Sequence, residues 1–330
     1  MRMYRATRTL FDTVRELDLQ QIELEIDRPI RILVVGREAA QPGDLIDRLF
    51  DLKQASPAVL GIEAISLSPG VAPGRFAPAD VALVVLNAGR EPGADEAAAV
   101  AQLQAVGVPT VLVFDQLERL ALPHDAAKRA LDAFPGVADE AFVYGDAADI
   151  ADLRCRILAG IHRLAPSLML SLGHRFPALR SAVSDVLIQE TSKANAQFAL
   201  LSSIPAMIPF AGALIGNVAD LVVLTKNQAV LLFKLAGIHG RGLHNRLALA
   251  IEIAPVVGAA FAWRTVARSL VGLVPTALSG VPKAAVAYVG TFVVGQLASY
   301  YYEHGNRPSA ALADRFRHEG LRLARRFVHL

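Results

Sequence analysis

Five short apolar runs, at 30–35, 61–67, 81–86, 110–115 and 141–144, punctuate the first half of the chain, and between them lie longer stretches of mixed polarity. Strands buried on both faces read as near-continuous Val/Ile/Leu runs, and parallel strands need a crossover segment of a dozen residues or more to connect them. The intervening stretches at 43–53, 94–106, 124–134 and 150–164 carry helical patterning suited to such crossovers. The segment 29–165 is therefore expected to fold as a three-layer α/β domain with a mostly parallel sheet.

Beyond Pro166 the pattern changes. Strand-like runs give way to long apolar helical stretches, so a chain of 330 residues reads as two domains with separate cores. Residues 194–219 contain no charged side chain. That is long enough for the roughly 20 residues that cross a bilayer as a helix. A second apolar segment, 284–302, ends in Tyr300, Tyr301 and Tyr302, which suit a headgroup belt. Between them, 221–238 and 247–263 are interrupted by Lys226, Lys234 and Glu252, and they read as half-buried partners. An all-round apolar helix also suits the centre of a soluble bundle, and Pro205 and Pro209 would kink or split the first segment.

Charge is divided unevenly. Residues 1–150 hold 14 basic and 23 acidic side chains, and 151–330 hold 19 and 8. A basic half suggests a surface-binding role, and the lack of clustered Lys/Arg with interleaved aromatics argues against nucleic acid and for lipid. Cys155 is the single cysteine, which excludes a disulfide framework and fits a reducing compartment. The N-terminal residues lack the apolar core of a secretory signal and read as an amphipathic helix, with Leu10, Val14 and Leu17 on one side.

The landmarks of the α/β segment fall in the order found in Era-like and dynamin-like small GTPases. Gly36 ends the first strand where a phosphate loop begins. The run "SLSPG" places Leu67, Ser68, Pro69 and Gly70 where the family has Asp-Thr-Pro-Gly. Asp115, Gln116, Leu117 and Glu118 stand at Asn-Lys-x-Asp, and Tyr144 and Gly145 at the last motif. The segment thus resembles a P-loop GTPase domain, but the chemistry is missing at each landmark. A working loop needs backbone N–H groups around the phosphates, a lysine, and a Ser or Thr hydroxyl on magnesium. Here Gly36 is followed by "REAAQPGD": Pro42 removes a donor, Gly43 and Asp44 follow, and no lysine is present. Leu67 replaces the magnesium aspartate, and Glu118 lacks the asparagine and lysine that belong beside it. The resemblance implies a pseudo-GTPase with no cofactor, no metal and no catalytic residue. The positions Gly36, Gly43, Asp44, Leu67, Gly70, Asp115 and Glu118 survive as degenerate motif sites.

The second half resembles the hydrophobic helical domain of unknown function found C-terminal to bacterial Era-like GTPases and in a family of predicted inner-membrane proteins. The matching features are the Ile-Pro-Phe-Ala-Gly turn, an Asp shortly before a Lys-Asn-Gln helix, the Gly that ends it, and a late Thr-Phe-x-x-Gly-x-x-x-x-Tyr helix, across 181–305. This implies a membrane-linked accessory domain.

Single residues add little. Asp220 and Lys226 are not at i,i+3 or i,i+4 spacing and read as separate solvated positions. His239 and His244 have no nearby cysteine or carboxylate partner of metal-site type. No Ser-His-Asp or paired-carboxylate arrangement stands out. The tail from Ser309 reads as a capped helix with Leu312, Phe316, Leu323 and Phe327 on one side, and with Arg315, Arg317, Arg322, Arg325 and Arg326 making the rest basic. Such a helix suits an anionic lipid surface or the acidic α/β domain equally.

The organisation expected is an amphipathic helix at 1–28, a degenerate GTPase-like domain at 29–165, a hydrophobic helical domain at 166–307 and a basic helix at 308–330. The leading functional reading is a non-catalytic interaction or anchoring protein on the cytoplasmic side of an inner membrane, peripheral or integral. Its expected partners are anionic lipid and an intact GTPase or a second copy of itself. The rivals are a nucleotide hydrolase giving Asp44 or Arg37 new roles, and a soluble helical scaffold.

Overall fold

The computed structural model describes residues 19–37, 40–52, 56–67, 76, 78–87, 91–115, 132, 134, 142–144, 149–202, 213–245, 247–249, 251–253 and 280–328. The chain divides into two compact units, one of residues 24–186 and one of residues 187–330 with 1–23. Leu10, Val14, Leu17 and the expected helix at 124–134, apart from Asp132 and Phe134, lie outside the described residues.

In the first unit each of the five apolar runs forms a strand: β1 (Ile32–Gly36), β2 (Ile62–Ser66), β3 (Val81–Asn87), β4 (Thr110–Asp115) and β5 (Phe142–Tyr144). All neighbours pair in parallel, in the order β2-β1-β3-β4-β5. Ile32 stands level with both Ile62 and Val81, and Asn87 with Asp115. Helix α1 (Gln20–Asp27) precedes β1, while α2 (Ala40–Phe50), α3 (Ala94–Ala105) and α4 (Ile150–Leu164) follow β1, β3 and β5. A sheet covered on both faces explains why every residue of β1 is buried. On one face Leu33, Val35, Val84 and Leu86 pack with Ala99, Val100 and Leu103 of α3. Strand alternation turns Ile32 and Val34 the other way, the side on which α2 meets β1. Helix α4 is tied to α2 by Arg154, whose guanidinium donates to the carbonyls of Leu49 and Arg48 at 2.9 Å each, which satisfies groups left open at the end of α2.

Two loop details set the entry to β1. Gly61 adopts φ +81°, and a Cβ there would lie 2.1 Å from the Ile30 carbonyl oxygen, so only glycine fits. Asp80 receives the Arg31 backbone N–H at 2.8 Å and the Arg28 guanidinium at 2.6 Å, which pins the lower edge of the sheet.

Helix α5 (Met169–Arg175) leads to the long helix α6 (Arg180–Leu201), along which the division between the units falls. The second unit contains α7 (Ala213–Ile238), α8 (Gly280–His304) and α9 (Ala310–Val328). Of the uncharged stretch 194–219, the residues up to Leu201 end α6 and those from Ala213 begin α7, while 203–212, with Pro205 and Pro209, lie outside the described residues. Among the described residues no helix is long and apolar enough to cross a membrane. Small residues set the helix spacing: a Cβ on Gly295 would lie 2.6 Å from the Ile188 side chain, and one on Gly320 3.0 Å from the Phe292 ring. Ser309 caps α9 as expected, accepting from the Leu312 N–H at 3.2 Å. The apolar side of α9 packs along α8, an arrangement that sequence reasoning did not reach.

Candidate functional site

In a sheet of this order the strand sequence reverses between β1 and β3, and such folds bind ligands in the crevice beyond the carboxyl ends of those two strands. Gly36 and Asn87 mark those ends. Only Arg37, Glu38 and Ala39 separate Gly36 from α2. Pro42 falls inside the first turn of that helix, which begins at Ala40 and so starts three residues before the expected Gly43. Proline is tolerated there because the N–H it lacks has no intrahelical partner, but the helix end loses a donor for an anion. Asp44 is exposed on the same turn.

Of the other degenerate positions, Leu67 and Asp115 are described. The Leu67 N–H donates to the Gly36 carbonyl at 2.8 Å, and its side chain is buried with Ile65, Phe76 and Leu33. The position at which the resemblance expects a metal-directed carboxylate is part of the core. Asp115 ends β4 opposite Asn87. Gly70, Glu118 and Gly145 lie outside the described residues.

What stands at the crevice is an internal polar set. The Gly93 N–H donates to the buried Glu96 carboxylate at 2.6 Å, closing the N-terminus of α3. The Arg37 guanidinium lies 4.0 Å from Asp95, and a Cβ on Gly93 would meet it at 2.5 Å. Gly93 therefore leaves room for the arginine at the helix end, where Asp95 faces its charge.

Nucleophile chemistry is disfavoured at Cys155 on α4. Burial, followed by the nearby Asp185, Asp152 and Asp149, pushes its thiol from the ordinary 9.0 up to about 11, so it stays protonated at neutral pH. Among the described residues no group of His, Cys, Asp and Glu is arranged to hold a metal ion. Lys226 is exposed, the side chain of Asp220 lies outside the description, and His239 packs near Tyr302 with ring centroids 6.1 Å apart.

The second unit holds a polar cluster that sequence reasoning missed. Asn195 on α6 donates through Nδ2 to Thr291 Oγ1 on α8 at 2.9 Å, and Gln228 on α7 donates through Nε2 to the same oxygen at 2.9 Å. Thr291 Oγ1 donates in turn to the Ala287 carbonyl at 2.9 Å, while Asn195 Oδ1 accepts from Asn227 Nδ2 at 2.7 Å. Asn195, Gln228 and Thr291 are all buried. The Thr291 hydroxyl has one proton and two lone pairs, so it is saturated. Asn227 and Gln228 come from the Lys-Asn-Gln stretch, and Thr291 and Gly295 from the Thr-Phe-x-x-Gly stretch. The two motifs carrying the second resemblance meet face to face. Polar residues with a unique partner set fix the register of packed helices. Nearby, burial and then Glu190 and Glu319 raise the Tyr288 hydroxyl to about 12, so it too stays neutral.

The class defined by these features is a doubly wound parallel α/β domain joined to an all-helical one. No protein-family model matches the chain, and no curated protein does.

Proposed function

We propose that this protein is a pseudo-GTPase: a degenerate relative of the Era-like and dynamin-like GTPases that does not hydrolyse nucleotide and acts as an interaction or anchoring protein at a membrane surface. The observation that carries the reading is the turn between β1 and α2. A phosphate loop places four residues between its glycines and ends on Lys-Ser or Lys-Thr at the helix start. Three residues join Gly36 to α2 here, with Pro42 in its first turn. The sheet order β2-β1-β3-β4-β5, the buried Leu67 and the arginine lying over Gly93 support the same reading. A sheet kept without its loop chemistry is suited to protein contact, with an intact GTPase or a second copy as the natural partner. The helical unit supplies the membrane link from the cytoplasmic face, supported by the arginines exposed along α9.

Calorimetric titration of the full chain with GTP and magnesium tests the first part. The expected result is no saturable heat. Micromolar binding would return the protein to the nucleotide-binding enzymes.

A further inference from the structure

We propose that the helical unit docks on anionic bilayers through the level of the bundle where α6 ends, using exposed leucines together with an arginine stripe on α9. This rests on the membrane-surface reading above and names the surface responsible.

The helices define successive levels. Gly295 of α8 meets Ile188 of α6; one turn on, Thr291 meets Asn195 and Gln228; a further turn on, Ala287 clusters with Ala199 and Leu224. Helix α9 returns along α8 after a five-residue connection, with Gly320 against Phe292 and Val289. Ala324, one turn further, is buried and reaches the level of Ala287. At that level three large apolar side chains are exposed: Leu200 at 43%, Leu201 at 65% and Val223 at 36%. Leu200 and Leu201 belong to the uncharged stretch 194–219, and Val223 follows it.

Arg325 and Arg326, next to Ala324, belong to the same level, and the stripe they end runs back along α9. With about 100° per residue, Arg315, His318, Arg322, Arg325 and Arg326 fall within an arc of about 100° on the side of α9 opposite Gly320 and Ala324. All five are exposed. The neighbouring acids sit outside the arc, Asp314 paired with Arg317 at 3.2 Å and Glu319 with Arg322 at 3.9 Å. Because the apolar side of α9 is committed to α8, this helix adsorbs by charge and does not insert.

A bilayer satisfies both features at once, presenting phosphates at headgroup depth and hydrocarbon just beneath. Nucleic acid or an acidic protein would answer the arginines and leave the leucines in water. Guanidinium groups suit lipid phosphates because each can donate two parallel N–H bonds.

The test is flotation of the full chain with phosphatidylcholine vesicles and with vesicles also containing phosphatidylserine, at low and high salt. Two double variants accompany it, Arg325→Gln with Arg326→Gln and Leu200→Ser with Leu201→Ser, each verified as folded by circular dichroism. The expected result is flotation with phosphatidylserine only. Each arginine removed weakens partitioning about fivefold, so the charge variant loses about 25-fold. The leucine variant loses the part of the binding that survives high salt. If the wild type floats and both variants float equally well, the docking level is wrong while membrane association stands. If the wild type floats on neither vesicle, the membrane reading itself falls.

Discussion

Replacing Thr291 by valine removes one oxygen from the interior of the helical unit and changes almost nothing else in volume. That oxygen accepts from Asn195 and Gln228, both of them buried. The valine methyl leaves two amide donors facing an apolar surface with no water to receive them. A buried donor stripped of its partner costs about 1–3 kcal/mol, so the substitution is expected to cost about 3–4 kcal/mol out of the ~5–15 kcal/mol of a typical domain. Gln228→Met is the control. It deletes one donor to Thr291, which keeps its bonds to Asn195 and the Ala287 carbonyl, and it also deletes a buried Oε1 that has no hydrogen-bond partner among the described residues. Its expected cost is below about 1 kcal/mol. The assay is hydrogen exchange of α8 amides across a urea series, since the two units need not unfold together. Thr291→Val should speed exchange about several-hundred-fold and Gln228→Met no more than about fivefold. If the two variants match, the cluster is not a network centred on Thr291 and the argument fails.

Two further outcomes follow from local geometry. Gly61→Ala forces a Cβ against the Ile30 carbonyl at positive φ, and the urea midpoint should fall by an amount corresponding to more than about 1 kcal/mol. A variant as stable as wild type would show that this loop relaxes freely. For Cys155 the folded thiol titrates near 11 against an ordinary 9.0, so its protonated form is favoured by folding. The resulting stability is fully present below 9.0, declines as pH rises from there, and is lost above about 11. Iodoacetamide labelling should therefore stay slow at neutral pH and keep accelerating to about pH 11, whereas unfolded protein levels off near 9.0; a plateau near 9.0 in the folded chain refutes the burial argument.

The sheet was legible because parallel strands covered on both faces must be apolar along their whole length. The runs containing Ile32–Gly36 and Val81–Asn87 have that composition and form β1 and β3. The cap of α9 was legible too, since Ser309 acts within three residues of itself. The polar cluster was not, because Asn195 and Thr291 are 96 positions apart and each looks like an ordinary polar residue in an apolar helix. Pro42 shows the same limit on a smaller scale: a proline six places past the end of β1 reads as loop until the helix is seen to begin at Ala40.

Sequence alone determined the five strand runs, the change from alternating to helical patterning, the loss of lysine and hydroxyl after Gly36, and the basic amphipathic tail. Each is written within one turn or one strand, the range over which side-chain period and local capping act. Tertiary structure alone decided that Leu67 is core, that Arg37 lies over Gly93, that α8 covers the apolar side of α9, and that Asn195, Gln228 and Thr291 share one oxygen. These depend on which distant surfaces meet, and that choice is made by burial and hydrogen-bond satisfaction over the whole fold, for which no short stretch carries the information.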